Sequence, residues 1–127
     1  MIEITLSQLI DSVSVMQELA KKPMKTKAAF QVARLLREVE KEYTLFQEAR
    51  KNLIEKYAER NTNGELKIDS DGNYNVPKEK IEPFNEELKE VIEQNITLNA
   101  EQININDLEE ANFTPSEMIL LWPFIYE

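Results

Sequence analysis

From Lys25 to about Arg60 the chain carries one continuous helical pattern. Val32, Leu36, Val39, Tyr43, Phe46, Leu53 and Tyr57 recur on one face, and no Gly or Pro interrupts them. Most other positions hold Ala, Leu, Glu, Lys, Arg or Gln, the residues that give up least on entering a helix. At about 1.5 Å per residue such a helix runs roughly 50 Å, longer than a small domain is wide, so part of it is expected to project. Arg50 falls in the seam where a hydrophobe is due. It must pair with an acid, leave the seam or meet another molecule.

The rest of the chain arranges itself around this rod. Ile2 and Ile4 alternate with polar neighbours, which suggests a short opening strand. Thr5 stands three residues before Gln8, a capping-box spacing, and Leu6, Leu9, Ile10, Val13, Met16, Leu19 and Ala20 follow with helical period. Pro23 stops this first helix, and a second begins near Thr26. Together they form a helical hairpin over 6–61, ended by Asn61-Thr62-Asn63-Gly64. Alternation on both sides of Asp69-Ser70-Asp71-Gly72 predicts a β-hairpin over 65–76. A third helix is expected over 81–94, with Pro83 near its first turn and Ile81, Phe84, Leu88 and Val91 or Ile92 buried. Short strands at 96–98 and 103–105 form either a second hairpin or consecutive edges of one sheet. Thr114-Pro115-Ser116-Glu117 opens a C-terminal short helix over 115–122, closed by Pro123. The fold class is therefore α+β, a long antiparallel helical hairpin packed with a small, mostly antiparallel sheet and a third amphipathic helix. At 127 residues the chain is expected to be a single domain, 1–127.

Composition narrows the chemistry. The sequence holds no Cys and no His, which removes thiolate and imidazole metal ligands and the commonest general base. The first residues lack a signal-peptide pattern, and no apolar stretch is long enough for a membrane span, so a soluble, intracellularly made protein is expected. The formal charge is -9, and it is uneven. Residues 1–60 hold 11 Lys and Arg against 9 Asp and Glu, whereas residues 61–127 hold 4 against 15. Such a chain repels nucleic acid overall, so direct nucleic-acid binding is not expected. Lys21, Lys22, Lys25, Lys27, Arg34 and Arg37 nevertheless form a run without an acid between Glu18 and Glu38. They are either a solvated face at a helix junction or candidates for binding an anion.

Several patterns invite a chemical reading and fail it. Asp69-Ser70-Asp71-Gly72-Asn73 resembles the start of a calcium loop, but Tyr74 stands at the sixth position, where Gly is needed, and Lys80 at the twelfth, where a carboxylate is needed. Glu86, Glu90 and Glu93 share a helix face, yet a solvated face does not separate carboxylate pKa values as acid-base catalysis requires. With Gly64 and Gly72 the only glycines, phosphate-binding glycine loops are absent. No enzymatic activity, metal or cofactor is expected. The acidic helix face of Glu82, Glu86, Glu87, Glu90 and Glu93 is a candidate surface for a protein partner, as is Arg50. The tail from Met118 to Tyr126 is too apolar for a free end. It either folds back onto the core or presents Trp122, Phe124 and Tyr126 as anchors to another chain.

The succession of an opening strand and helix, a charged helix ending Glu55-Lys56-Tyr57-Ala58-Glu59, the turns Asn63-Gly64-Glu65-Leu66 and Asp71-Gly72-Asn73-Tyr74, and a closing Thr114-Pro115-Ser116-Glu117 with Pro123-Phe124-Ile125 resembles a family of small proteins encoded by tailed phages and prophages of Gram-positive bacteria. The resemblance spans nearly the whole chain and brings no catalytic residues with it. Together with the charge split and the lack of catalytic constellations it implies a non-enzymatic phage protein that acts by binding, an inhibitor that occupies a host or defence protein in the bacterial cytoplasm through its acidic C-terminal half and exposed helix surface. One alternative is a virion or assembly component held in a homo-oligomer. Another is a protein that binds a small phosphorylated ligand with the Lys/Arg cluster.

Overall fold

The computed structural model describes residues 1–58, 60, 64 and 75–127. The fold is α+β. Contacts fall into two compact units, one of Met1–Thr44 with Glu93–Glu127 and one of Leu45–Ile92.

In the first unit, β1 (Ile2–Thr5) leads directly into α1 (Leu6–Leu19). The junction is a complete capping box: the Thr5 hydroxyl accepts from the Gln8 N–H at 3.2 Å, and the Gln8 side chain accepts from the Thr5 N–H at 2.9 Å. Leu6, Leu9, Val15, Met16 and Leu19 of α1 are buried, with Ile10 and Val13 half-buried, together with Ser12, whose buried hydroxyl donates to the Leu9 carbonyl at 2.8 Å. After a connector over 20–25 comes α2 (Thr26–Tyr57), whose first half belongs to this unit. Ala28, Val32, Leu35 and Val39 are its buried positions.

Two small sheets complete this unit. β2 (Asn95–Leu98) pairs antiparallel with β1, setting Ile2 opposite Leu98 and Ile4 opposite Ile96, and the Leu6 N–H donates to the Gln94 carbonyl at 2.9 Å beyond the ladder's end. β3 (Ile103–Asn104) pairs parallel with β4 (Ile125–Tyr126), with Ile103 opposite Ile125. The expected strands at 96–98 and 103–105 therefore exist, but they are partners neither in a hairpin nor within one sheet. Each finds its mate near one end of the chain. A two-stranded sheet is marginal alone, and here the inward side chains Ile2, Ile4, Leu98, Ile103 and Ile125 are all buried in the unit's core. A 3₁₀ helix over Ile105–Ala111 follows β3 and ends on Asn112, whose left-handed φ of 55° suits an Asn C-cap. α4 (Pro115–Leu121) lies against α1, and a 3₁₀ turn over Trp122–Phe124 lies against β1.

The second unit contains the C-terminal part of α2 and α3 (Lys78–Ile92). Tyr57 meets Phe84 edge-on, with ring centroids 6.2 Å apart at 87°. α3 begins three residues before the expected start at Ile81, and Pro83 lies inside it. Pro77 is the boundary instead: its carbonyl accepts from the Lys80 N–H at 2.8 Å, closing the turn that opens the helix. Ile81, expected in the core, is exposed, while Phe84, Leu88, Val91 and Ile92 are half-buried. Arg60 ties off the end of α2, donating to the Glu55 carbonyl at 3.1 Å and to the Gly64 carbonyl at 2.8 Å. The β-hairpin expected over 65–76 lies outside the described residues except for Asn75 and Val76, which belong to no strand.

Candidate functional site

The tail resolves into two faces. Phe124 is 1 % exposed and Leu121 and Ile125 are buried, so this side closes the core, helped by the Gln102 amide donating to the Pro123 carbonyl at 3.1 Å. Phe124 is thus not a surface anchor, contrary to its place among the expected partner contacts. The opposite side is bare: Ile119 is 71 % exposed and Trp122 64 %, with Tyr126 also exposed. Ile119 and Trp122 are three residues apart on one helical surface, the Trp122 N–H donating to the Ile119 carbonyl. Trp122 and Tyr126 share a hollow of about 120 Å³ with Ile105, Ile125 and Glu127. The patch is therefore continuous. The segment that bears it, residues 93–127, contains seven Asp and Glu and no Lys or Arg. Sequence reading found the aromatic residues but not that their segment carries no cation of its own, which a count over the segment reveals; the cations that approach it, Lys22 near Glu117 and Lys25 near Asp107 and Glu109, come from the N-terminal part of the chain.

The position of α4 is fixed by its own cap. The Thr114 hydroxyl accepts from the Glu117 N–H at 3.2 Å, and the Glu117 carboxylate accepts from the Thr114 N–H at 3.0 Å. That backbone hydrogen bond, with the Thr114 hydroxyl and the nearby Lys22 charge, holds the Glu117 pKa below its ordinary 4.5. The cap's electrostatic share is therefore present above pH 4.5 and is lost as pH falls through the lowered value. Thr114→Ala is expected to cost about 1 kcal/mol near neutrality. Urea unfolding of wild type and variant should show this difference shrinking on acidification below that range.

The acidic helix is less uniform than its sequence suggests. Glu82, Glu86 and Glu90 are exposed on α3, but Lys78 and Lys89 line the same open hollow as Ile81, Glu82, Asn85 and Glu86. Glu87 is committed to Lys56, whose ammonium donates to it at 2.8 Å. This hydrogen bond lowers the Glu87 pKa and raises that of Lys56. Glu93 follows the end of α3 and belongs to the other unit. Arg50 is exposed, because the half-buried stripe passes through Ala49, one residue earlier, and swings Arg50 out of the seam.

The basic run does not converge on a ligand pocket. Lys21 pairs with Glu18 at 3.6 Å, Lys22 stands 5.7 Å over the Phe113 ring, and Lys25 borders a cleft of about 90 Å³ with Asp107 and Glu109. That volume is well below the roughly 300 Å³ at which small-molecule sites begin, and its acids oppose an anion. Lys27, Arg34 and Arg37 are exposed on α2. Among the described residues no cluster of carboxylates is placed to hold a metal ion, and no helix is long and apolar enough to cross a membrane.

No protein-family model, curated protein or solved structure matches this chain.

Proposed function

We propose that this chain is a non-enzymatic protein-binding protein that docks on a basic partner through the acidic, aromatic surface of residues 93–127. The observation that carries this reading is the exposure of Trp122 beside Ile119 and Tyr126 within a segment that has no cation. Trp is among the side chains that most often anchor an interface, and an excess of one charge selects a partner of the opposite sign. The resemblance to small phage and prophage proteins sets the context: the partner is a host or defence protein of a Gram-positive bacterium, met in its cytoplasm. Binding through an acidic surface suits an inhibitor that covers a basic functional site, since acidic faces compete for surfaces built to meet nucleic acid.

The test is capture from a Gram-positive lysate at low salt on immobilised wild type and on Trp122→Ala. Wild type is expected to retain a basic protein and release it at about 1 M salt, where the screening length is only ~3 Å. Trp122→Ala should weaken capture roughly 30-fold, the effect of losing a hot spot worth about 2 kcal/mol. Retention indifferent to both salt and Trp122 would overturn the reading.

A further inference from the structure

The outer side of α2 carries a second unpartnered surface. Lys27, Phe30, Arg34, Arg37 and Lys41 recur at spacings of three and four, and all five are exposed. They lie opposite Ala28, Val32, Leu35 and Val39, which face the core. Phe30, at 65 % exposure, is the one large apolar side chain among four cations, and the one acid at this spacing, Glu38 between Arg34 and Lys41, is half-buried at the stripe's edge, so positive charge prevails. None of the four cations is ion-paired with a described residue.

We propose that this stripe receives the acidic aromatic patch of a second copy of the chain, giving a head-to-tail assembly. The inference rests on the binding role assigned above to the C-terminal surface and names one occupant for it. Complementarity carries the argument. One face is an aromatic ring set among cations; the other is Ile119, Trp122 and Tyr126 within a segment of seven acids and no cation. The two faces share no residue, so each copy offers both at once and the contact is heterologous, propagating into a ring or a filament. Nucleic acid is the other polyanion a basic stripe could take, but the chain's net charge of -9 works against it. The stripe is about 21 Å long and one helix wide, at the small end of interface sizes, so the association is weak and salt-sensitive. Self-association and capture of a basic partner then compete for Trp122.

Sedimentation of the full chain tests this. At low salt the mass should rise above 14.9 kDa with concentration and return to it at about 1 M salt. Because Trp122 is the only Trp, its fluorescence should shift to the blue over the same concentration range. Two variants, Arg34→Glu with Arg37→Glu and Ile119→Ser with Trp122→Ser, should each keep the wild-type circular dichroism and stay monomeric. Mixed in equal amounts, they should form a dimer and nothing larger, since only one intact pair of faces remains. A wild type that stays monomeric at its highest soluble concentration overturns the proposal, as does a variant that still assembles or a mixture that does not dimerise. Loss of single-stranded oligonucleotide binding by the arginine variant, without any self-association of wild type, would instead assign the stripe to nucleic acid. The arginine variant retains Trp122. Lysate capture by it, with a monomeric wild type, would leave the partner-binding reading standing and remove only this one.

Discussion

Phe124→Ala is expected to lower folding stability by about 3–5 kcal/mol, whereas Trp122→Ala, two residues earlier, should cost about 1 kcal/mol or less. Both remove an aromatic ring from the same apolar tail, so composition gives no reason for a difference. The difference is positional. Phe124 is a fully buried side chain where the 3₁₀ turn lies against β1, and its loss opens a cavity that the close-packed surroundings fill only in part. Trp122 faces solvent and leaves none. Denaturant midpoints with unchanged slopes would establish the contrast. Equal costs at the two positions would mean that the tail does not fold back with Phe124 inward, and the acidic aromatic patch would lose its basis.

The second large effect concerns the phase of α2. Leu35→Ala should cost about 2–5 kcal/mol, the range for truncating an enclosed Leu. Leu36→Ala should cost roughly 1 kcal/mol, and Arg50→Ala should fall within about 0.5 kcal/mol of wild type. Leu35 is fully enclosed, Leu36 is half-buried at the edge of a cleft shared with Leu19 and Met24, and Arg50 is exposed. A larger cost at Leu36 than at Leu35 would rotate the helix by one residue, about 100°, and would turn the Lys27 to Lys41 stripe away from its assigned direction. The same measurement therefore tests the frame on which the self-association proposal is drawn.

Signals that act within a few residues were legible from the sequence alone. Thr5 with Gln8 and Thr114 with Glu117 form the two capping boxes their spacing predicts, and α1 and α2 are separated at Pro23 as its position predicts. A cap needs only its own turn of backbone, so distant parts of the chain have little say in it. The alternation of Ile2 with Ile4 and of Ile96 with Leu98 likewise marked strands. It held no information on pairing, because a four-residue strand offers the same ladder to any neighbour, and β1 found β2 some ninety residues away.

Tertiary packing decided what local pattern left degenerate. Consecutive leucines at 35 and 36 both fit a three-four repeat, and only the surrounding core selects Leu35. The stripe could step from Phe46 to Ala49 or to Arg50, and the cost of burying an unpaired guanidinium sends it through Ala49. Pro83 marked a helix start in sequence, while the turn closed on Pro77 set the actual one. In the tail, Phe124 and Trp122 are equally apolar neighbours, and parallel pairing of Ile125 with Ile103 fixes which enters the core. Burial is a property of the assembled chain, so sequence named the residues able to bind and packing chose which of them remain outside.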